Sequence, residues 1–257
     1  MSTRDWEAQT YERISDPMFG WGLEVLDRLT LEGGETVLDA GCGTGRVTAK
    51  LLERLPRGRV VAVDASPSMV EQARAALDPE RTTAFAVDLL ELELDEPVDA
   101  AVSTAVFHWI PDHDRLFERL HAALRPGGRL EAQCGGAGNL DGFHEAGLAT
   151  VAAEEPFAPH FDGWEGPWNY SSPHHAADSL ARAGFTDVVC WLEPRSVEPP
   201  DPRSFLRVVC LGHHLERLPE ELQEPFVERV LDRVGEPVDL DYVRLNISAT
   251  RPVSHPA

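Results

Sequence analysis

Three glycines at alternate positions form the most informative segment of the chain. Residues 37–46 read VLDAGCGTGR, so an apolar run leads into Gly41, Gly43 and Gly45 and then into a helical pattern. Glycine lets the backbone turn tightly and approach a ligand where a Cβ would clash. The helix that follows offers free N–H groups to a carboxylate or a phosphate. The segment could hold the charged tail of a small molecule, although a simple strand-to-helix turn would use the same glycines.

Two aspartates stand at the ends of the next two apolar runs. Asp64 follows residues 60–63, and Asp88 follows residues 84–87. A carboxylate at Asp64 can accept both hydroxyls of a ribose, and one at Asp88 can accept an adenine amino group, with Leu89 beside the ring. Either aspartate alone could be a helix cap or a solvated loop residue. With the glycines, in this order, they predict a site for an adenosine whose polar tail reaches the glycine loop.

A sheet with intervening helices must position these residues. Between Thr36 and Cys134, short apolar runs alternate with helical patterns, which predicts βαβ units and a parallel sheet with helices on both faces. The predicted strands are residues 37–40, 60–63, 84–87, 98–102 and 130–134. Ser66 and Pro67 suit the N-cap and the first position of one helix. A later strand is predicted at 188–192, and residues 242–250 alternate apolar and polar side chains as a half-buried strand does.

Two segments do not follow this alternation. Residues 135–175 are rich in Gly, Pro, His and Trp without a clear period, which predicts a loop-dominated excursion over one edge of the sheet. Residues 199–238 begin with a proline-rich connector and continue as two amphipathic helices. Open α/β sheets bind ligands beyond the carboxyl ends of their strands, so both segments could cover such a site. We predict a single domain over residues 1–257, with a cofactor-binding core at 30–134 and lid or substrate insertions at 135–175 and 199–238.

The composition argues against several classes of partner. The 257 residues carry 23 Lys+Arg against 44 Asp+Glu, a formal net charge of −21, and this acidity disfavours nucleic acids and anionic membranes. The four cysteines are far apart and form no C-x-x-C pair, which argues against a zinc site and a disulfide framework. The first residues are polar and lack the apolar region of a signal peptide, so we expect no secretion signal, and no apolar run approaches the length needed to span a bilayer. We expect a cytoplasmic protein without metal, nucleic-acid or membrane partners.

Four motifs in the core are highly specific in combination: DAGCGTGR at 39–46, VVAVDASPSM at 60–69, AVDLLEL at 86–92 and ALRPGGRL at 123–130. With them the chain resembles the class I S-adenosylmethionine-dependent methyltransferases. Within that superfamily, Asp5-Trp6, Tyr11 and the run STAVFHWIPDH at 103–113 are similar to the trans-aconitate methyltransferase branch. The chain departs from a common variant of the branch, which has Gln-Trp where His108 and Trp109 stand here.

The resemblance implies a Rossmann-like α/β fold whose seven-stranded sheet is mostly parallel with its last strand antiparallel. It also implies an enzyme that uses S-adenosylmethionine to methylate a small molecule. Asp39 and the loop glycines would hold the methionine end of the cofactor, and Asp64 its ribose. Asp88 with Leu89 would hold the adenine, and Tyr11 would close over the site. The predicted cofactor-binding residues are Tyr11, Asp39, Gly41, Cys42, Gly43, Gly45, Asp64, Ala65, Met69, Asp88, Leu89 and Thr104.

Methyl transfer from a sulfonium is an in-line displacement, so the protein mainly has to align the acceptor with the methyl carbon. A carboxylate acceptor needs no base, whereas a hydroxyl, phenol or ammonium acceptor must lose a proton, for which His is the natural base. His108 follows the fourth predicted strand and is the candidate catalytic residue, or it only shapes the pocket beside Trp109. The adjacent pair His213-His214 is expected to be solvated or to cap a helix. Candidate substrate-binding residues, as aromatic walls, an apolar lid or carboxylate clamps, are Trp109, Trp164, Trp168, Tyr170, Arg207 and Arg244.

These candidates leave alternatives open. The aromatic residues could instead pin a loop to the core, and either arginine could serve only in ion pairs. The leading function is methyl-ester formation on a carboxylic acid, and O-methylation of a hydroxyl or phenol metabolite is the alternative. An NAD-dependent oxidoreductase also places an acid on ribose, but the G-x-G-x-G spacing and Asp88 argue against it. A non-catalytic S-adenosylmethionine-binding module is a third interpretation, which the aromatic-rich excursion disfavours. The sequence does not define the oligomeric state.

Overall fold

A seven-stranded sheet lies at the centre of the molecule. The computed structural model describes residues 16–253 of the chain. The strands are β1 (Thr36–Ala40), β2 (Arg59–Asp64), β3 (Thr82–Ala86), β4 (Val98–Thr104), β5 (Leu124–Gly135), β6 (Thr186–Val197) and β7 (Leu240–Thr250). Their order across the sheet is β3-β2-β1-β4-β5-β7-β6, and β7 runs antiparallel to both of its neighbours. The other pairings are parallel, so the predicted sheet, with its last strand antiparallel, is confirmed.

Helices pack on both faces of this sheet. They are α1 (Asp16–Arg28), α2 (Arg46–Arg54), α3 (Pro67–Ala76), α4 (His113–Ala123), α5 (141–152), α6 (Pro173–Arg182), α7 (202–215) and α8 (Glu220–Val234), with short 3₁₀ turns at Leu89–Glu91 and Phe107–Trp109. The Ser66 hydroxyl accepts the Met69 N–H at 3.4 Å, with Pro67 following it at the helix start. This arrangement matches the predicted cap of α3.

Successive side chains of the central strands belong to two different hydrophobic cores, one on each face of the sheet. Leu38 and Ala40 of β1 pack with α4 and α6, whereas Val37 packs with α1, α2 and α3. The division follows from strand geometry, because successive side chains point to opposite faces of a sheet. Both faces of the parallel part are therefore covered, which agrees with the near-continuous apolar runs in its strands.

A third core joins what we call the cap (residues 140–168 and 202–234) to side chains of β6 and β7. Leu140, Phe143, Leu148 and Val151 pack there with the apolar faces of α7 and α8. The prediction of two amphipathic helices after residue 199 is confirmed. The loop-dominated excursion predicted for 135–175 is wrong at residues 141–152, which are helical. Those four apolar residues do have helical spacing, but the two glycines and the histidine between them made the pattern hard to recognise in the sequence.

Strand limits differ from the predictions where polar residues continue the backbone pairing. β6 runs to Val197 rather than stopping at Leu192, because its polar second half still pairs with β7. β3 begins at Thr82, two residues earlier than predicted. Within residues 16–253, no helix is both long enough and apolar enough to cross a membrane.

Candidate active site

A cavity of about 710 Å³ lies at the carboxyl ends of the parallel strands, beneath the cap. Its two halves differ in chemistry. We call the first the cofactor half; it is lined by Gly41, Gly43, Asp64, Ala65, Ser66, Met69, Asp88, Leu89 and Thr104. We call the second the acceptor half; it includes His108, Trp109, Asn139, Trp164, Trp168, Tyr170, His213, Tyr242 and Arg244.

The glycine loop meets two separate requirements. Gly41 has φ +92°, and a Cβ there would lie 2.1 Å from Val106 Cγ2, so packing against the segment after β4 excludes any side chain. Gly43 has φ +53°, and a Cβ there would meet no atom within 4 Å. Gly43 lines the cavity, so a side chain at this position would enter open space at the cavity. The loop is also pinned to β2, because the N–H groups of Gly41 and Cys42 both donate to the Val63 carbonyl, at 2.8 and 2.9 Å.

Asp64 is held in place by the loop that it faces. The Gly43 N–H donates to Oδ2 at 2.9 Å, and the Ser66 N–H donates to Oδ1 at 2.9 Å. Each carboxylate oxygen can accept further hydrogen bonds, and the residue lines the cavity. Burial raises the pKa of Asp64, while the two backbone N–H groups act in the opposite direction. The structure therefore orients a hydrogen-bond acceptor at the end of β2, where a diol could be bound.

Asp39 lies behind the glycine loop and does not line the cavity. It is 1% exposed, and the Thr48 hydroxyl donates to its Oδ2 at 2.6 Å. Its other oxygen, Oδ1, has no hydrogen-bond partner among the described residues. Burial raises the pKa of Asp39 to about 6. A buried acceptor that lacks a partner is costly unless a ligand or water supplies a donor.

Of the remaining candidates for cofactor binding, some line the cavity and others do not. Asp88 accepts the Leu90 N–H at 2.9 Å, so it caps the short turn Leu89–Glu91 and also lines the cavity beside buried Leu89. Ala65, Met69 and Thr104 line the cavity as well. Cys42 and Gly45 do not line it, and Gly45 precedes α2 with φ +87°. Tyr11 lies outside the described residues.

Aromatic side chains form the walls of the acceptor half. Trp168 and Tyr170 stack with ring centroids 5.9 Å apart, and Trp109 lies 6.2 Å from Trp168. His213 stacks on Trp109 at 4.9 Å and lines the cavity, whereas His214 is buried in the core of the cap. The expectation that this histidine pair is solvated or caps a helix is wrong, because α7 packs against the cavity. Trp164 also lines the cavity and stacks on Phe161 of the cap.

His108 occupies the base of this aromatic wall. It is 8% exposed, and its ring centroid lies 6.0 Å from that of Tyr170 and 4.8 Å from that of Trp109. The Gly135 N–H at the end of β5 donates to its Nδ1 at 3.2 Å. Burial, together with the charge of Arg244, lowers the pKa of His108 well below its usual value near 6.5. The imidazole is therefore neutral at physiological pH.

The two arginine candidates have different environments. Arg244 on β7 is 3% exposed, lines the cavity and places its guanidinium 5.0 Å from the Trp21 ring centroid. Arg207 is exposed, forms an ion pair with Glu224 and does not line the cavity. The structure thus places one of the two predicted clamps in the acceptor half and leaves the other on the surface.

Several cavity residues were missed by the sequence analysis, among them Asn139, His213 and Tyr242. Tyr242 could have been found, because it precedes Arg244 by two positions and therefore shares its face of β7. Asn139 accepts the Val243 N–H at 3.0 Å and so joins the excursion to β7, a contact that no local pattern indicates. In the part of the chain that the structure describes, no three His, Cys, Asp or Glu side chains converge as a metal site would require.

Known proteins are similar to this chain in sequence and in fold. A family described as a methyltransferase domain matches residues 37–128. The trans-aconitate 2-methyltransferase of Methylobacterium nodulans is 34% identical over 190 residues, which cover 73% of this chain and 67% of that protein. The enzyme of the same name from Variovorax paradoxus is 29% identical over 94% of both chains. With the one from Azoarcus sp., which is 40% identical, the match spans half of each protein.

Solved structures show the same architecture at lower identity. The putative methyltransferase from Haloferax volcanii, in complex with the Trm112 activator, has a TM-score of 0.60 and 22% identity over 98% of this chain and 100% of that one. Phosphoethanolamine N-methyltransferase 2 of Haemonchus contortus, in complex with S-adenosyl-L-methionine, has a TM-score of 0.61 and 22% identity over 95% of this chain and 56% of that one. These similarities establish a Rossmann-like methyltransferase fold.

Proposed function

Because this chain belongs to the class I S-adenosylmethionine-dependent methyltransferases, on the trans-aconitate methyltransferase branch, we propose that it methylates a carboxylate oxygen of a small organic acid. One observation carries the choice of acceptor, namely the buried cation of Arg244 in the acceptor half. A buried guanidinium is the group that best matches a carboxylate in charge and in hydrogen-bond geometry. The small-molecule acceptor and a cytoplasmic location stay predictions.

The residues of the cofactor half fit S-adenosylmethionine. Asp64 has two oriented oxygens that suit the ribose diol, and Asp88 with Leu89 offers an acceptor beside an apolar surface, as an adenine requires. The open space at Gly43 would let the methionine end approach the backbone. The unpartnered Oδ1 of Asp39 lies behind this loop, where a bound ammonium group could reach it through a water molecule.

The cofactor supplies an electrophilic methyl group on a sulfonium, so the chain has to bind and orient the acid rather than activate it. In such a transfer the carboxylate oxygen would bond to the methyl carbon, the electron pair of the carbon–sulfur bond would stay on sulfur, and no proton would leave the acceptor. Arg244 would hold the acid by its charge. The walls formed by Trp109, Trp168 and Tyr170 exclude water, which strengthens that ion pair and keeps the acid aligned.

An acceptor screen tests this proposal. The purified protein is incubated with S-adenosylmethionine labelled in its methyl group and with sets of matched compounds, each containing an acid, its amide and its alcohol. We expect label to enter only the acids, as a methyl ester that releases labelled methanol in mild alkali. Alkali-stable label in the alcohols, as an ether, would contradict the proposal and favour hydroxyl methylation. Binding of the cofactor without turnover of any acid would also contradict it.

A further inference from the structure

A main-chain hydrogen bond determines which nitrogen of His108 carries the proton. The Gly135 N–H donates to Nδ1, and both residues are buried. An amide N–H can only donate, so Nδ1 must present its lone pair, and the proton of the neutral imidazole lies on Nε2. Turning the ring by 180° would set Cδ2–H against the same N–H and lose the hydrogen bond.

The surroundings hold the ring in this orientation. Tyr170 stacks on it at an interplanar angle of 29°, and Trp109 packs at 40°. Gly135 allows this close packing, because a Cβ there would lie 2.7 Å from Tyr170 Cε1. His108 lines the cavity, and no described residue forms a hydrogen bond with Nε2. The cavity therefore receives an N–H donor whose ring is packed against two aromatic side chains.

The groups that face His108 keep it neutral. Arg244 of β7 and His113 of α4 both disfavour an imidazolium, and burial acts in the same direction. Cys134 of β5 and Tyr170 also lie beside it, and burial raises the pKa of each, so that both are uncharged. Among these facing groups there is no carboxylate that could stabilise a proton on Nδ1.

On the basis of the proposed function, we infer that His108 donates its Nε2–H to the acceptor carboxylate and is not a general base. A base would need a lone pair on the nitrogen that faces the cavity, and here that nitrogen carries the proton. Together with Arg244, a neutral donor would fix one carboxylate oxygen and leave the other free to attack the methyl carbon. His108 thus orients the substrate.

This role has a kinetic signature of its own. The carboxylate is most negative before methyl transfer and loses charge as the ester forms, so a donor binds the substrate at least as strongly as the transition state. Loss of the donor should therefore raise KM and leave kcat nearly unchanged. Loss of a general base would instead lower kcat, by about 10²–10⁴-fold.

The first measurement concerns the tautomer and needs no acceptor. Long-range ¹H–¹⁵N correlation spectra of the ¹⁵N-histidine-labelled protein distinguish Nε2–H, Nδ1–H and imidazolium, and His108→Gln assigns the resonance. We expect the Nε2–H form throughout the range from about pH 6 to 9, because the free pKa near 6.5 is lowered by burial. An Nδ1–H form, or protonation within that range, would overturn the inference whatever the acceptor proves to be.

The second measurement is kinetic and uses an acid from the acceptor screen. His108→Phe keeps a ring against Tyr170 but removes the donor, and we expect KM to rise about tenfold to a hundredfold with little change in kcat. His108→Gln restores an N–H donor and should bring KM back toward the parent value. The control is His174→Phe, since the His174 side chain is 90% exposed on the outer helix α6.

The outcomes separate this inference from the proposed function. If acids are methylated but His108→Phe lowers kcat a hundredfold or more, or leaves KM unchanged, the donor role is wrong and the proposed function stands. If no acid is methylated, the proposed function is wrong, and the spectra still decide the tautomer. If His108→Phe does not fold, the spectra of the parent and the kinetics of His108→Gln decide the question.

Discussion

Replacing Gly41 or Gly43 by alanine should separate the structural requirement of the glycine loop from its ligand-binding requirement. The Cβ of Gly41→Ala would lie 2.1 Å from Val106 Cγ2 and 2.8 Å from Cγ1, at φ +92°. The Cβ of Gly43→Ala would meet nothing within 4 Å, at φ +53°. The first variant should therefore lose stability, and the second should mainly lose affinity for the cofactor.

The expected magnitudes follow from these two geometries. Overpacking costs about 1–3 kcal/mol and left-handed backbone about 1–2 kcal/mol, so Gly41→Ala should lose roughly 2–5 kcal/mol of folding free energy. At about 2–4 °C per kcal/mol for a domain of this size, its Tm should fall by roughly 4–20 °C. Gly43→Ala has only the backbone cost, and its Tm should fall by roughly 2–8 °C.

Thermal unfolding with and without S-adenosylhomocysteine measures both effects. A ligand at a hundred times its Kd stabilises the parent by about 2.7 kcal/mol, and Gly43→Ala should lose most of this shift, because its methyl group enters open space at the cavity. Val106→Ala removes the side chain that Gly41→Ala meets, so the Gly41→Ala/Val106→Ala double variant should recover stability relative to Gly41→Ala. The reasoning is refuted if Gly43→Ala keeps the full ligand shift, or if Gly41→Ala unfolds at the parent Tm.

Three other variants and one control address the remaining parts of the site. Asp64→Asn should weaken cofactor binding about tenfold to a hundredfold in calorimetry, because the carboxylate charge is lost and the amide NH₂ must face a backbone N–H; an unchanged Kd would exclude Asp64 from the cofactor site. Burial raises the pKa of Asp39 in the folded protein to about 6, above its value in an unfolded chain. The proton on Asp39 therefore stabilises the folded state at low pH, and this stabilisation is lost as the pH rises to about 6. The Tm of Asp39→Asn should therefore rise relative to that of the parent between about pH 4 and pH 6.5, and a difference in Tm that stays constant over this range would contradict the assignment. Arg244→Leu should raise KM for the acid more than about tenfold, as the loss of a charged hydrogen bond predicts, while Arg207→Leu should match the parent; equal effects would disprove the clamp.

The cofactor half could be predicted because its parts are local. The glycine loop follows β1, Asp64 ends β2 and Asp88 lies two residues after β3, and parallel strands bring their carboxyl ends to one edge of the sheet. Residues at the ends of successive strands in the sequence therefore lie close together in the structure. The sequence did not reveal that Gly41 is required for packing and Gly43 for open space at the cavity. The contact between Gly41 and Val106 joins segments that follow different strands, so no local pattern indicates it.

The acceptor half could be predicted only in part, since it forms where distant segments meet. Tyr170, His213 and Arg244 come from the excursion, from α7 and from β7. The types of Tyr170 and Arg244 suggested stacking or ion pairing, but which side chains face the cavity depends on how the cap packs. Residue type alone could not show which arginine faces the cavity, because Arg207 and Arg244 have the same side chain. Arg207 forms an ion pair with Glu224 on the surface, whereas Arg244 lines the cavity.

The position of β7 has a consequence for biosynthesis. β7 lies between β5 and β6, so β6 has no other strand to pair with until residues 240–250 have left the ribosome. The strands that carry the glycine loop and Asp64 are synthesised earlier and pair among themselves. Because nascent domains build up from the N-terminal side, we expect the cofactor half to assemble before Tyr242 and Arg244 arrive. A nascent chain that does not yet include β7 could then hold the methyl donor and still lack the cation that binds an acid, so methyl transfer would have to await the synthesis of β7.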